Sequence, residues 1–325
     1  MQPVRLAIKR REPGARVGES HALAPCTWRR LAKSVVAHNQ PQHIAIAARH
    51  GLYVIEDACQ GVGGGYEGKK FGSIGHIGAF SFNYFKNMTS GEGGGVATSD
   101  DSLAQRARCA IDPCHFYWTG REDGLVPFAG NGGRASELQG AMLNVQLDRL
   151  DGMVAAMRRE KRRIVEATRR LNNLGLTLSP MNSPDYDCAA HVMYLLPSAE
   201  EAKRFTDIFP AVIAGKTGRH TYTEWDQVLM GAGAAHPAMN PYNHPANAEC
   251  RKTYSKDMCA PSLDILNRTV MVPTNPRHSE AETDAIIHNI DTAAKVVFGG
   301  LKPEEATIRT TAALDAQKFD MKTGA

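Results

Sequence analysis

A short apolar run ending on two adjacent carboxylates constrains this chain more than any other feature. Leu52, Tyr53, Val54 and Ile55 lead into Glu56 and Asp57, and before them a helical pattern (Ile44, Ile46, Ala47) stops at His50 and Gly51. Glycine just past a periodic stretch is a helix stop. A short apolar run directly after a helix reads as a buried parallel strand. The polar residues at its C-terminal end then lie where open α/β sheets bind ligands.

The pattern continues downstream. Residues 61–78, rich in glycine and carrying Lys69 and Lys70, read as a surface loop or a small hairpin. A second short strand follows over 79–82, then Asn83-Tyr84-Phe85-Lys86-Asn87, a glycine turn over 91–95 and a third strand over 96–98. Residues 102–110 read as a helix and 124–133 as an irregular loop. From Ser136 towards Leu174 the stripe Leu138, Met142, Val145, Leu150, Val154, Met157, Ile164 follows three- and four-residue steps, with Ser136 as N-cap and Gly175 as stop. Beyond this linking helix the pattern predicts a strand over 190–196, a helix over 199–208, a strand over Thr269–Pro273 and a helix over 279–298. Ser279 and Glu282 supply the last with a capping box.

Composition narrows the class. Hydrophobic residues make up 42% and charged residues 22% of 325, an ordinary globular balance that leaves out disordered and fibrous classes. No apolar run reaches a membrane span, and no leader of charged-then-apolar type opens the chain. The net charge of +4 is concentrated at the start, where residues 1–33 hold eight Lys or Arg against Glu12 and Glu19, while the rest is close to neutral. Such a start suits a nucleic-acid arm, a transit peptide or a poorly ordered leader, and general priors favour the leader. The seven cysteines are scattered, with no Cys-x-x-Cys pair. That argues against a structural zinc site and for a reducing cytoplasm, so no metal, membrane or nucleic-acid partner is expected.

Three features together point to chemistry. Asp57 ends the first strand, with Gln60 three residues on. Lys86 follows the second strand among Phe80, Phe82, Tyr84 and Phe85, and the glycine-rich turn over 90–95 comes next. A lysine packed among apolar rings is desolvated, which lowers its pKa and frees the amine as a nucleophile towards carbonyl compounds. A carboxylate nearby suits a protonated pyridine ring that serves as an electron sink. Each feature alone has a plainer reading: a strand-end carboxylate, a surface lysine, a turn.

The runs Val54-Ile55-Glu56-Asp57-Ala58-Cys59-Gln60, Phe80-Ser81-Phe82-Asn83-Tyr84-Phe85-Lys86-Asn87-Met88-Thr89-Ser90-Gly91-Glu92-Gly93-Gly94, Arg134-Ala135-Ser136-Glu137-Leu138-Gln139-Gly140-Ala141 and Gln146-Leu147-Asp148-Arg149-Leu150 resemble the DegT/DnrJ/EryC1/StrS aminotransferases. The resemblance is strong over 42–165, weaker to about 298 and nearly absent over 1–40. It implies an α/β, fold-type-I transferase dependent on pyridoxal 5'-phosphate. Lys86 matches the lysine that holds the cofactor and shuttles the substrate proton. Asp57 matches the partner of the pyridine nitrogen, Gln60 the neighbour of the ring oxygen, and Ser81 a hydroxyl donor to the phosphate. The implied reaction moves an amino group from glutamate or glutamine to a keto-sugar, usually nucleotide-linked, or to a cyclitol ketone. A homodimer, or a dimer with a homologue, is implied too.

The departures shape the remaining expectations. The family's longer N-terminal segment supplies a Ser-Gly-Thr turn that cradles the phosphate, and no Ser-Gly-Thr occurs in this chain. The family's Asn two residues before the Arg falls on Gly132, so adjacent Asn131 is the candidate in its place. The domains expected are a basic leader of low order over 1–40 and a partial cofactor-binding large domain with a mostly parallel sheet and linking helix over 41–174. A smaller C-terminal α/β domain over 175–300 and a polar tail over 301–325 follow. The alternative is a non-catalytic truncated homologue or partner subunit. His220, Tyr222, Trp225 and Asp226 read either as a sugar-pocket lining or as a packed loop.

Overall fold

A computed structural model describes residues 31–35, 40–112, 114, 128–181, 183–218, 221–250 and 253–310. Contacts divide the chain into two compact units, Met1–Val154 with Asn182–Cys188 and Ala155–Met181 with Ala189–Ala325.

The first unit is built on a four-stranded sheet. Its elements are β1 (Leu31–Val35), α1 (Gln40–Arg49), β2 (Tyr53–Asp57), the hairpin strands β3 (Gly65–Tyr66) and β4 (Lys69–Lys70), β5 (Ile77–Ser81), β6 (Gly94–Ala97) and α2 (Asp101–Ile111). The sheet order is β1-β2-β5-β6. The first three strands are parallel and β6 runs antiparallel to β5. The helix α1 stops where glycine was expected to stop it: Gly51 has φ +59° and the Leu52 N–H donates to the Ala47 carbonyl at 2.8 Å. Asp100 caps α2, its carboxylate accepting from the Leu103 N–H.

Two expectations change here. Within the stretch 1–40, expected as a leader of low order, Leu31–Val35 pairs with the whole of β2, from Leu31 opposite Tyr53 to Val35 opposite Asp57, while residues 1–30 and 36–39 lie outside the described residues. The five residues Leu-Ala-Lys-Ser-Val alternate too weakly to announce a strand. The strand β2 is also buried on one face rather than two. Val54 and Glu56 are buried while Tyr53 and Asp57 are exposed. Alternation along a strand sends adjacent side chains to opposite faces, so the paired carboxylates part company.

The helix α3 (Glu137–Thr168) has its residues divided between the units at Val154. The α-helix gives way to a 3-10 turn over Arg169–Leu174, and Gly175 ends it at φ +114°.

The second unit contains β7 (Thr177–Leu178), β8 (His191–Leu195), α4 (Ala199–Ile208), β9 (Val212–Ile213), α5 (Ala260–Asn267), β10 (Thr269–Pro273) and α6 (Glu280–Phe298). Its sheet runs β7-β8-β10-β9 and every pair is antiparallel. One apolar cluster fills it, with Ile164, Leu171, Tyr194, Phe205, Ile286 and Ile290 removed from solvent. The Tyr194 hydroxyl finds the Thr168 hydroxyl at 2.8 Å, which in turn donates to the Ile164 carbonyl. Burial pushes the Tyr194 phenol up from its ordinary range. Glu160 is buried as well, accepting from the Asn275 N–H at 2.8 Å and meeting His278 Nδ1 at 2.6 Å, which ties the segment before α6 to α3.

Candidate active site

The parallel pairing of β2 with β5 sets the geometry of the site. Asp57 lies opposite Ala79, so Ser81, two residues further, comes up on the same face and at the same edge as Asp57. That edge is the C-terminal one, where ligands enter open α/β sheets. Glu56 and Phe80 take the other face.

Lys86 is carried there by a loop folded on its own hydrogen bonds. The Asn83 N–H donates to Ser81 Oγ, the Phe85 N–H to Asn83 Oδ1 at 3.2 Å and the Lys86 N–H to the Asn83 carbonyl at 3.0 Å. The base of the loop is closed by Phe82, whose N–H donates to the Gly93 carbonyl and whose carbonyl accepts from the Ser90 N–H. Gln139 and Ser90 both donate to the Glu92 carbonyl. The Ser90 to Gly95 turn therefore holds the neck of the lysine loop. Its glycines serve conformation, Gly91 at φ +84° and Gly93 at φ +138°.

Cys59 records what this folding brings together. Its thiol is pushed up to about 11 by burial first and by the Asp57 carboxylate second, while the positive charge of Lys86 pulls the other way. The Asp57 and Lys86 charges thus both bear on one sulfur, across a sequence separation that no local pattern spans. The Cys59 N–H also donates to Asp57 Oδ1 at 3.2 Å, fixing the carboxylate against its own turn. Among the described residues neither Asp57 nor Lys86 is engaged in an ion pair. Gln60 follows in a turn closed by the Gly61 N–H on the Ala58 carbonyl, and its side chain is exposed.

Fold and edge together can be set beside known proteins. The model of the DegT/DnrJ/EryC1/StrS aminotransferase family matches residues 38–291. The chain belongs to that family. Among its relatives, GDP-perosamine synthase of Caulobacter vibrioides is 41% identical over 120 residues, covering 36% of this chain and 30% of that protein. L-glutamine:2-deoxy-scyllo-inosose aminotransferase of Streptoalloteichus tenebrarius is 40% identical over 124 residues, 35% of this chain and 29% of that protein. An aminotransferase structure from Psychrobacter cryohalolentis superposes with a TM-score of 0.61 at 22% identity, over 83% of this chain and 71% of that one. The fold is accordingly that of fold-type-I aminotransferases. The chain matches about a third of the length of these two curated relatives.

Seen as a DegT-family chain, the structure adds and corrects. The rings around Lys86 do not wall it in. Tyr84 and Phe85 are exposed and stack on each other edge to face at 5.2 Å, while Lys86 itself is half-buried. Sequence neighbours on a loop need not be spatial neighbours, which is why the expected apolar jacket is absent from this side. Asn131 is exposed, and its N–H donates to the Ala110 carbonyl at the end of α2. No described contact joins it to Asp57 or Lys86. Gly132 has φ +68° with nothing within 4 Å of the position a Cβ would take. Asn is among the few residues that share this conformation with glycine.

In the second unit, His220 lies outside the described residues. The Tyr222 hydroxyl donates to the Lys256 carbonyl and accepts from the Cys259 N–H, which favours a loop held by its own polar tips over a pocket lining. Among the described residues no cluster of His, Cys, Asp and Glu has the makings of a metal site, and no helix is long and apolar enough to cross a membrane. Two further residues, given no role in the site by the sequence, stand beside the edge. One is Cys59. The other is Glu56, a buried carboxylate that accepts from the backbone N–H groups of Gly72, Ile74 and Gly75. Its only sequence signal is its place one residue before Asp57 on an alternating strand.

Proposed function

We propose that this chain carries the amino-transfer site of a sugar-modifying aminotransferase, with Lys86, Asp57, Gln60 and Ser81 as its cofactor-binding residues. The observation that carries the proposal is the shared face and edge of Asp57 and Ser81, with the loop of Lys86 springing from Ser81.

The aminotransferases of this family use pyridoxal 5'-phosphate, and the donor set fits that group. Asp57 offers a protonated ring nitrogen a carboxylate that has no ion-pair partner among the described residues, Lys86 offers an amine to an aldehyde, and Ser81 a hydroxyl to a phosphate. When bound, the cofactor supplies the electron sink that lets a proton leave the carbon bearing the nitrogen. The chain's own residues do the rest. Asp57 keeps the ring nitrogen charged, its position fixed by the Cys59 N–H. Ser81 orients the phosphate end from the same strand edge. Lys86 Nζ holds the group and moves the proton. Asn131 has less support as a cofactor contact, since its backbone is tied to Ala110.

The substrates we propose are glutamate or glutamine as donor and a keto-sugar or cyclitol ketone as acceptor. The matched relatives support this by name, one making a perosamine nucleotide and one aminating an inosose with glutamine. A homodimer or a dimer with a homologue, working in the cytoplasm, is the setting proposed.

The test is direct. The purified protein is incubated with pyridoxal phosphate, reduced with borohydride and mapped by peptide mass, with Lys86→Ala in parallel. The expected result is a visible absorbance band and a single adduct on the peptide containing Lys86, lost in the variant. A colourless protein without adduct, or an adduct spread over surface lysines and unchanged in Lys86→Ala, would overturn the proposal.

A further inference from the structure

The face of β2 opposite the site holds an acid that the site chemistry leaves unused. Glu56 is 2% exposed. Among the described residues no cation pairs with it, and its partners are backbone amides: Gly72 on Oε2 at 2.9 Å, Ile74 and Gly75 on Oε1 at 2.6 and 2.5 Å. A buried carboxylate that gathers three N–H groups from one loop organises that loop.

Position gives the loop its importance. Residues 72–75 come just before His76 and β5, and β5 carries Ser81 and leads to Lys86. The backbone there is packed too closely for side chains. A Cβ on Gly75 would stand 2.9 Å from the Val54 carbonyl, and one on Gly78 would collide with Gly72. Gly72 also takes φ +84°. Immediately beyond, His76 zips the same segment to β2, its N–H donating to the Val54 carbonyl and its Nδ1 accepting from the Val54 N–H, both at 2.9 Å. The pairing of Ile55 with Ile77, Glu56 with Gly78 and Asp57 with Ala79 follows at once. A slip of one residue in β5 would turn Ser81 to the wrong face and carry the Lys86 loop with it.

We infer that Glu56 is a positioning residue for the active edge: by binding the amides of residues 72, 74 and 75 it sets the register of β5 against β2, and so the placing of Ser81 and Lys86 relative to Asp57. The neighbouring carboxylates of one strand divide the work, Asp57 facing the ligand and Glu56 holding the frame. This deepens the aminotransferase reading and rests on it for its functional consequence. The chemistry requires a carboxylate. Glutamine keeps the volume but replaces one acceptor oxygen with an NH2 group, which must then face a backbone donor.

The test uses Glu56→Gln in the full chain with two readouts that need no cofactor. The first is peptide-resolved amide exchange. In the wild-type protein the amides of Gly72, Ile74 and Gly75 should be as protected as those of β5, and in Glu56→Gln exchange should rise at least tenfold over 71–76 while α6 is unchanged. The second is the pH profile of Cys59 alkylation, read on its own peptide. Cys59 Sγ lies against the Ala79 carbonyl of β5, so a loosened β5 should expose the thiol and move its titration from about 11 towards 9.0. Alkylation at pH 8 then rises about tenfold for each unit. With cofactor, borohydride labelling of Lys86 should fall in the variant.

Wild-type protection at 71–76 together with an unmoved Cys59 profile in Glu56→Gln would overturn the inference. Exchange raised evenly through the whole unit would overturn it too, showing a general stabilising role. If the variant fails to fold, unprotected amides at 72, 74 and 75 in the wild-type protein overturn it, and protected ones uphold it. Failure of cofactor labelling in both proteins, with both cofactor-free readouts as expected, sinks the aminotransferase reading and leaves the structural role of Glu56 standing.

Discussion

The two halves of α3 carry one apolar stripe to opposite fates. Over its first turns Leu138, Met142 and Val145 are 77%, 47% and 59% exposed; further along Leu150, Val154, Met157 and Ile164 are 8%, 2%, 4% and 0%. The periodicity is the same throughout, so a helical stripe shows that a helix forms and leaves open whether its face is covered. The difference extends to the units themselves. The C-terminal unit encloses a continuous core, from Ile164 through Tyr194 and Phe205 to Ile290. The unit with Asp57 and Lys86 buries mostly smaller residues, Ala47, Val54, Ala58 and Val62 among them, beside its strand pairs, the neck of the lysine loop and the amides gathered on Glu56. Catalytic edges need open backbone and unpaired charge, and a closed core offers neither.

The sharpest way to break this comparison is to cut the stripe at both ends. Ile164→Ala should destabilise the C-terminal unit by about 2–5 kcal/mol, combining lost burial with a cavity. Leu138→Asn should stay within about 0.5 kcal/mol, as for exposed sites generally. Denaturant unfolding with a probe in each unit reads both. A Leu138 effect as large as that of Ile164 would show the exposed face to be buried in solution, and the contrast between the halves would fall.

The second prediction separates binding from stability in the open unit. Asp57 is exposed and, among the described residues, receives one N–H, from Cys59, so Asp57→Asn should leave the melting temperature nearly unchanged. The same change removes a charge-assisted bond of about 1.5–3 kcal/mol to a bound pyridinium, a loss of roughly 10- to 150-fold in cofactor affinity. Fluorescence titration with pyridoxal phosphate measures it. An equal affinity in the variant would remove Asp57 from the site.

What was legible in the sequence follows the same division. The helix over 199–208 and the strand Thr269–Pro273 stand where their patterns put them, because their signals are local. Ser198 accepts from the Glu201 N–H at the start of α4, and Ser279 with Glu282 closes the capping box of α6. The two-residue strands β7 and β9 are too short to show a period, so the antiparallel order of the second sheet could not be read. At the site, motif order put forward Asp57, Ser81 and Lys86, and strand register sets Asp57 and Ser81 on one face of the sheet. Nothing in spacing says which of two adjacent carboxylates faces inward. Burial of Glu56 depends on a loop sixteen residues away, and such long-range pairing leaves no local trace.

The core itself offers a gentler probe with a pH signature. The Tyr194 phenol is buried and its ionisation is pushed up from 10.0, with the Thr168 hydroxyl pulling slightly the other way. A raised folded pKa means stability that is whole below pH 10 and declines as the pH rises beyond it, since the unfolded chain loses the proton first. Tyr194→Phe should lower stability by about 0.5–1.5 kcal/mol at pH 7, the worth of one buried hydrogen bond. It should also flatten the decline above pH 10. A variant with the wild-type alkaline slope would place the titrating group elsewhere.

The smallest effect belongs to Gly132→Asn. At φ +68° the backbone favours glycine, with asparagine among the next best, and the space around the missing Cβ is empty. Gly132→Asn should therefore stay within about 0.5 kcal/mol of the parent stability, whereas Gly132→Val, β-branched in a left-handed conformation, should cost about 1–2 kcal/mol. Thermal melts of the pair decide it. Equal losses in both variants would mean that the loop is packed in solution and that the glycine is there for space. A loss confined to valine means that conformation alone selects the residue, leaving the asparagine side chain free to be tried against bound cofactor.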